Sequence, residues 1–242
     1  MKKFVLVVGA SGAIGSAIVE TLAAQGWSIY LHYGTNHARV TAMQQSLAAQ
    51  YEQQEFMTVQ ANFLETDAAE QLAAQIFSLH AIVFAQGQSL YGLLEDTTTQ
   101  QMDALWKVHV QNPMRTVALL SNKLRQASTA YVLFIGSIWG EVGAAGEVAY
   151  SAVKGAQHSF VKAYAQEVAY NGIRVNAIAP GFIDTEMNHH LSNEERQEIT
   201  EQIPLQQFGK PCDVANIVGY YVSGQADYAT GQIIRLNGGW YI

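Results

Sequence analysis

Cysteine is all but absent from this 242-residue chain, with Cys212 the only one. That excludes an intrachain disulfide and a cysteine-rich zinc site. Charge is also scarce: only 14% of residues are Asp, Glu, Lys or Arg, with 13 basic against 20 acidic for a formal charge of −7. Such a balance disfavours a dedicated nucleic-acid binder or a protein of anionic membranes. So few charges point to large packed faces or self-association. No long apolar run opens the chain, because Phe4 to Val8 meets Gly9 at once. This is too short for a signal sequence or a membrane span, so a cytoplasmic setting is expected. No H-E-x-x-H occurs, and His189-His190 has no third ligand at useful spacing, so no metal site is expected.

Apolar residues are plentiful, at 49%, and they fall into alternating short runs and helical patterns. Phe4 to Val8 reads as a buried strand, and Ile14, Ile18 and Leu22 mark one face of a helix that Gly26 ends. Strands are expected at Ile29 to Tyr33, Phe56 to Ala61, Ala81 to Ala85, Tyr131 to Ile135, Ile173 to Ala179 and Gln232 to Leu236. Helical patterns lie between them at Ala38 to Tyr51, Ala68 to Phe77, Gln101 to Gln126 (broken near Pro113), Ala149 to Tyr170 and Pro211 to Ser223. This alternation predicts an α/β fold, a doubly wound and mostly parallel sheet covered on both faces. No linker divides residues 1–242, which read as one domain carrying a small lid at about 182–208.

Gly9, Gly12 and Gly15 lie between the first strand and the first helix. Phosphate must approach the backbone closely there, and a helix N-terminus offers free N–H groups. The Walker ending Lys-Ser/Thr is missing, which argues against a nucleoside triphosphatase. The second strand ends His32-Tyr33-Gly34-Thr35-Asn36, with no carboxylate to hold a ribose 2′-hydroxyl. NADP(H) is therefore favoured over NAD(H), with Asn36, His37 and Arg39 the available donors. Asn62 reads as an adenine contact or as the cap of the next turn.

Tyr150 and Lys154 stand at i and i+4, so their side chains share a helix face. Ser137 follows a strand end that a parallel sheet presents to the same crevice. The set suits carbonyl reduction. Tyr150 gives a proton to the oxygen as hydride reaches carbon, Lys154 lowers the phenol's pKa and holds a ribose, and Ser137 polarises the oxygen.

Taken together, Gly9 and Gly15, Ser137, Tyr150-Ser151-Ala152-Val153-Lys154, Ile173-Arg174-Val175-Asn176, Pro180-Gly181 and Thr230-Gly231-Gln232 resemble the short-chain dehydrogenase/reductase family over the whole chain. The resemblance implies an NAD(P)(H) oxidoreductase on a seven-stranded Rossmann sheet, assembled as a homotetramer or dimer. By it Tyr150, Lys154 and Ser137 are catalytic, while Gly9, Ser11, Gly12, Ile14, Gly15, Asn62, Gly87, Tyr150, Lys154, Ile183 and Thr185 fall at the cofactor. Pro180 and Gly181 shape the loop over the nicotinamide. A catalytically silent regulator on the same fold is the alternative of another class, and the complete reacting set argues against it.

The chain departs from the family where His109 replaces an asparagine that anchors a proton-relay water, and an imidazole titrating near neutrality could serve that relay. Phe84-Ala85-Gln86-Gly87 replaces the usual N-N-A-G. Trp139, Glu141 and Glu147 near the serine and tyrosine suit an amine-bearing substrate. These residues and His109 are similar to members that reduce a ketone on a modified lysine of elongation factor P. The overall pattern is that of members reducing 3-oxoacyl-[acyl-carrier-protein], whose carrier-docking arginines fall at Ser128 and Asn171.

Overall fold

The computed structural model describes residues 2–188 and 191–242, so the His189-His190 pair lies outside the described residues. Seven strands, β1 Phe4–Val8, β2 Ser28–Tyr33, β3 Phe56–Gln60, β4 Ala81–Phe84, β5 Ala130–Ile135, β6 Ile173–Pro180 and β7 Ile233–Leu236, form one sheet in the order β3-β2-β1-β4-β5-β6-β7. Every neighbouring pair is parallel. Successive side chains of a strand point to opposite faces, so a strand buried on both sides is apolar at every position. In β1 this sends Phe4, Leu6 and Val8 to one core and Val5 and Val7 to the other.

Helices α1 Ala13–Ala24, α2 His37–Gln50 and α9 Pro211–Val222 cover the Val5/Val7 face. Helices α3 Ala68–Ala74, α5 Asn112–Leu124 and α7 Val148–Val168 cover the other. Ile18, Val19 and Leu22 of α1 are completely buried, each contributing about 1.5–3 kcal/mol of apolar transfer. Gly26, at φ +88°, ends that helix in the left-handed region where other residues are strained.

The strand and helix boundaries expected from sequence shift by a few residues, and one connection differs in kind. The long helix expected to break near Pro113 is α4 Thr99–Trp106, a π-helical turn at Lys107–Gln111, and then α5. Pro113 sits in the first turn of α5, directly after the π turn, and carries no N–H for the carbonyls of that turn. The interruption precedes the proline. Between β6 and α9 the segment expected as a lid contains helix α8 Asn193–Gln202, capped by Ser192 and Glu195. Arg196 of α8 ties back to Asp184 at 2.8 Å and lies over the Phe208 ring. A short helix α6 spans Trp139–Val142. Among the described residues no helix is long and apolar enough to cross a membrane.

Candidate active site

The strand order reverses between β1 and β4, and the loops leaving the carboxyl ends of β1, β4, β5 and β6 carry Gly9, Gly87, Ser137 and Gly181. Such a switch point opens a crevice in a doubly wound sheet. At its centre Gly9 has φ +84°, and a Cβ there would lie 2.6 Å from the Gln86 backbone nitrogen. A Cβ on Gly15 would lie 2.1 Å from the Gly9 carbonyl oxygen. Both must be glycine. Gly12 has φ −78° and nothing closer than 3.5 Å to its Cβ position, so steric demand does not explain it. The first turn of α1, with no acidic side chain, presents its unsatisfied N–H groups there. This cradle fits a dinucleotide pyrophosphate.

At the outer end, Asn36 caps α2 by accepting the Arg39 backbone N–H at 3.2 Å. The Arg39 guanidinium lies 3.6 Å from Glu186 of the lid. Asn62 uses both ends of its amide on its own turn, accepting from Leu64 N–H at 3.2 Å and donating to Glu65 at 3.4 Å. These bonds brace the turn that follows β3. Ile183 is buried and bridges to Gly209, and Gly181 packs so closely on Asn237 that a Cβ would meet it at 2.9 Å.

Ser137, Tyr150 and Lys154 meet on this edge. Lys154 is buried and donates to the Ile135 carbonyl at 2.9 Å, which anchors it to the end of β5. Its Nζ lies 5.6 Å from the centroid of the Tyr150 ring. Tyr150 is hydrogen-bonded to the Ser137 side chain. Burial foremost, with the charge of Glu147 next, pushes the phenol's pKa up, while the Ser137 bond opposes both. Burial alone pulls Lys154 down to about 7. The Ser137 hydroxyl also accepts the Trp139 backbone N–H at 3.2 Å, so the start of α6 orients it.

His109 lies in the π-helical turn, fully buried, edge-on to Tyr150 with ring centroids 5.6 Å apart. Its imidazole is packed so tightly on Gly87 that a Cβ there would meet Cε1 at 2.9 Å. Nε2 lies 2.9 Å from the Gln88 carbonyl. Burial first, then the nearby Lys154 charge, pulls its pKa down to about 3. The imidazole expected to titrate near neutrality is therefore a neutral group throughout the physiological range.

The two glutamates expected to act together are separated. Glu141 turns to Arg235 of β7, with contacts of 2.8 and 3.4 Å that neutralise its charge. Glu147 is the carboxylate whose field reaches the Tyr150 phenol. Trp139 packs against Trp240 and Tyr241, at 5.3 and 5.6 Å between ring centroids. Sequence reasoning missed Gln157, which donates to the His109 carbonyl at 2.6 Å. A polar residue three positions after Lys154, on the helix face turned to the sheet, was the available signal. It also missed His158, wedged against Gly136 and Gly140, whose Cβ positions lie 2.5 and 2.8 Å from the imidazole. A cavity of about 400 Å³ between the lid and α9 contains none of the reacting residues.

A serine, a tyrosine and a buried lysine at the switch point of a parallel doubly wound sheet define an oxidoreductase. Residues 9–241 match the family model described as Enoyl-(Acyl carrier protein) reductase, and the chain belongs to this family of classical short-chain dehydrogenases/reductases. It is 41% identical over 243 residues to an uncharacterized oxidoreductase, YmfI, of Bacillus subtilis, with all of both chains covered. It is 31% identical over 246 residues to the 3-oxoacyl-[acyl-carrier-protein] reductase FabG of Staphylococcus epidermidis, again over all of both. Among solved structures, a blue fluorescent protein from a metagenomic library, in complex with NADPH, is similar with a TM-score of 0.91 and 27% identity, covering 99% of this chain and 98% of that one.

Proposed function

We propose that this protein reduces a ketone to a secondary alcohol at the expense of NADPH. The observation that carries the reading is the Tyr150 phenol, hydrogen-bonded to Ser137 beside the buried Lys154, on the edge where Gly9 and Gly15 form their cradle. Bound NADPH supplies the hydride. Tyr150 delivers the matching proton to the substrate oxygen, Ser137 donates to that oxygen as charge grows on it, and the Lys154 ammonium stabilises the phenolate left behind. Support for the phosphorylated cofactor comes from a β2 end without a carboxylate, from Arg39 beside it, and from the NADPH-bound relative. The family resemblance further supports a homotetramer or dimer.

For the substrate, the named relatives support 3-oxoacyl-[acyl-carrier-protein] better than any other ketone. One observation on the carrier side favours a second reading, elongation factor P 5-aminopentanone reductase: an acidic carrier finds less charge to dock on here. The positions that carry docking arginines in the carrier-protein branch hold the exposed, uncharged Ser128 and Asn171. NADPH oxidation, followed with an acetoacetyl carrier thioester and with the aminopentanone-modified elongation factor, separates the two. Turnover of the thioester alone removes the amine reading, and turnover of the modified factor alone removes the carrier reading. Failure of both, with Tyr150→Phe indistinguishable from wild type on every ketone tried, removes catalysis.

A further inference from the structure

We propose that His32 is a positioning residue of the cofactor cradle, a buried imidazole held in one tautomer that suspends the glycine turn from the ends of β2 and β3. It is 3% exposed and lies on β2, one residue before the strand ends. Its Nε2 is 3.0 Å from the carbonyl oxygen of Ala61, just past β3. A carbonyl only accepts, so Nε2 carries the proton and Nδ1 is left with its lone pair. The Gly9 backbone N–H donates to that Nδ1 at 3.1 Å. The carbonyl of His32 accepts the next N–H, that of Ala10, at 2.9 Å. One residue thus receives two successive amides of the turn.

The location gives this arrangement its importance. Gly9 is the tightest point of the cradle: its backbone is pressed on Gln86 and its carbonyl on Gly15, and the same carbonyl accepts the Gly12 N–H at 3.1 Å. A rotation of the Gly9 peptide would carry the Gly12 amide and the start of α1 with it. The His32 imidazole holds the peptide entering Gly9, the His32 main-chain carbonyl holds the peptide leaving it, and the other ring nitrogen holds the Ala61 end of β3, while the Phe63 ring closes over the imidazole at 5.2 Å between centroids. Both ring nitrogens are paired, so the residue is a built connection between two parts of the crevice. The inference rests on the reading that this crevice holds a dinucleotide.

Three variants separate positioning from bulk packing. His32→Asn places an amide oxygen near the Nδ1 position and keeps an acceptor for Gly9. His32→Gln places an amide N–H near the Nε2 position and keeps the Ala61 bond, but loses the acceptor. His32→Leu loses both. NADPH and NADH dissociation constants from cofactor fluorescence are expected to weaken about tenfold in the Gln and Leu variants and to stay within about threefold of wild type in the Asn variant. All three are expected to melt earlier than wild type. The ¹⁵N shifts of the wild-type imidazole are expected to show protonated Nε2 and bare Nδ1 in the absence of cofactor. Wild-type affinity in the Gln or Leu variant, equal losses in Asn and Gln, or a proton on Nδ1 would each overturn the proposal. A wild-type protein that binds neither nucleotide would overturn the cofactor reading and with it any part for His32 in cofactor binding.

Discussion

Gln157 and His109 are joined side chain to backbone, the amide Nε2 of one 2.6 Å from the carbonyl oxygen of the other. The reason lies four residues further along. In an α-helix the His109 carbonyl would receive the N–H of residue 113, and in a π turn the Val108 carbonyl would receive the same one. Residue 113 is proline and has none. Gln157 serves the first carbonyl, and Gln86 serves the second at 3.1 Å. Two glutamines from different elements thus supply what one proline withholds. The helix carrying Tyr150 and Lys154 is fastened in the process to the turn that holds His109 against them.

Replacing Gln157 by leucine leaves a buried carbonyl without a donor, which costs about 1–3 kcal/mol. Denaturant unfolding at neutral pH should show that loss. The maximal rate of ketone reduction should also fall, about tenfold, with KM for NADPH little changed, because the glycine cradle is untouched. A Gln157→Leu protein with wild-type stability would mean that the bond contributes nothing.

Tyr150→Phe removes the proton donor and keeps the ring that packs edge-on to His109. Reduction should slow by about 10²–10⁴. NADPH binding, measured by fluorescence, should persist, which separates lost chemistry from a lost site. Lys154→Met should be slower as well and should weaken the nucleotide, since Lys154 is expected to hold a ribose.

Burial lowers Lys154 to about 7, so it is cationic below that pH and neutral above. The cation favours the phenolate that Tyr150 becomes after giving up its proton. Ketone reduction should therefore decline as pH rises through about 7, as that stabilising charge is lost. Stability moves the other way on the alkaline side. Between the folded value and the ordinary lysine value of 10.5 the unfolded chain binds more protons, so this residue makes the fold more stable as pH increases. An activity loss above pH 7 that coincided with unfolding would contradict the assignment.

The sheet was legible because its strands are buried on both faces: Phe4–Val8, Ala81–Phe84 and Ala130–Ile135 are apolar at nearly every position, and turn residues punctuate them. The triad was legible because Tyr150 and Lys154 are one helical turn apart and Ser137 follows a strand end. What stayed hidden depends on partners far away in sequence. Glu141 and Glu147 look alike in the chain, yet Arg235, 94 residues further on, takes one of them away. The neutral state of His109 follows from complete burial, and its carbonyl, which Pro113 cannot serve, finds its donor 48 residues away on Gln157. No local pattern encodes these pairings.

Arg39 is expected to discriminate between the two nicotinamide dinucleotides. It faces Glu186 at 3.6 Å, with both side chains exposed, so the pair is weak and a 2′-phosphate could take the carboxylate's place. Arg39→Ala should weaken NADPH by about tenfold and leave NADH within about twofold. Equal losses for both nucleotides would place Arg39 away from the 2′ position.

Acid should unfold this protein well above the carboxylate range, and the cause would be imidazole. Burial lowers His32 to about 4, His109 to about 3 and His158 to about 4, against 6.5 for a free side chain. All three are neutral in the fold, and all three protonate when the chain opens. Below pH 6.5 the unfolded state therefore binds more protons, and stability falls as pH falls until the folded values are reached. At pH 5 each histidine withdraws about 2 kcal/mol relative to pH 7, a large share of a typical 5–15 kcal/mol total. His158 offers the cleanest test, because neither ring nitrogen has a hydrogen-bond partner among the described residues. His158→Leu should cost little at pH 7 and should be more stable than wild type at pH 5, with a shallower fall between them. Parallel stability–pH curves for the variant and wild type would show that His158 titrates normally and that its burial carries no acid penalty.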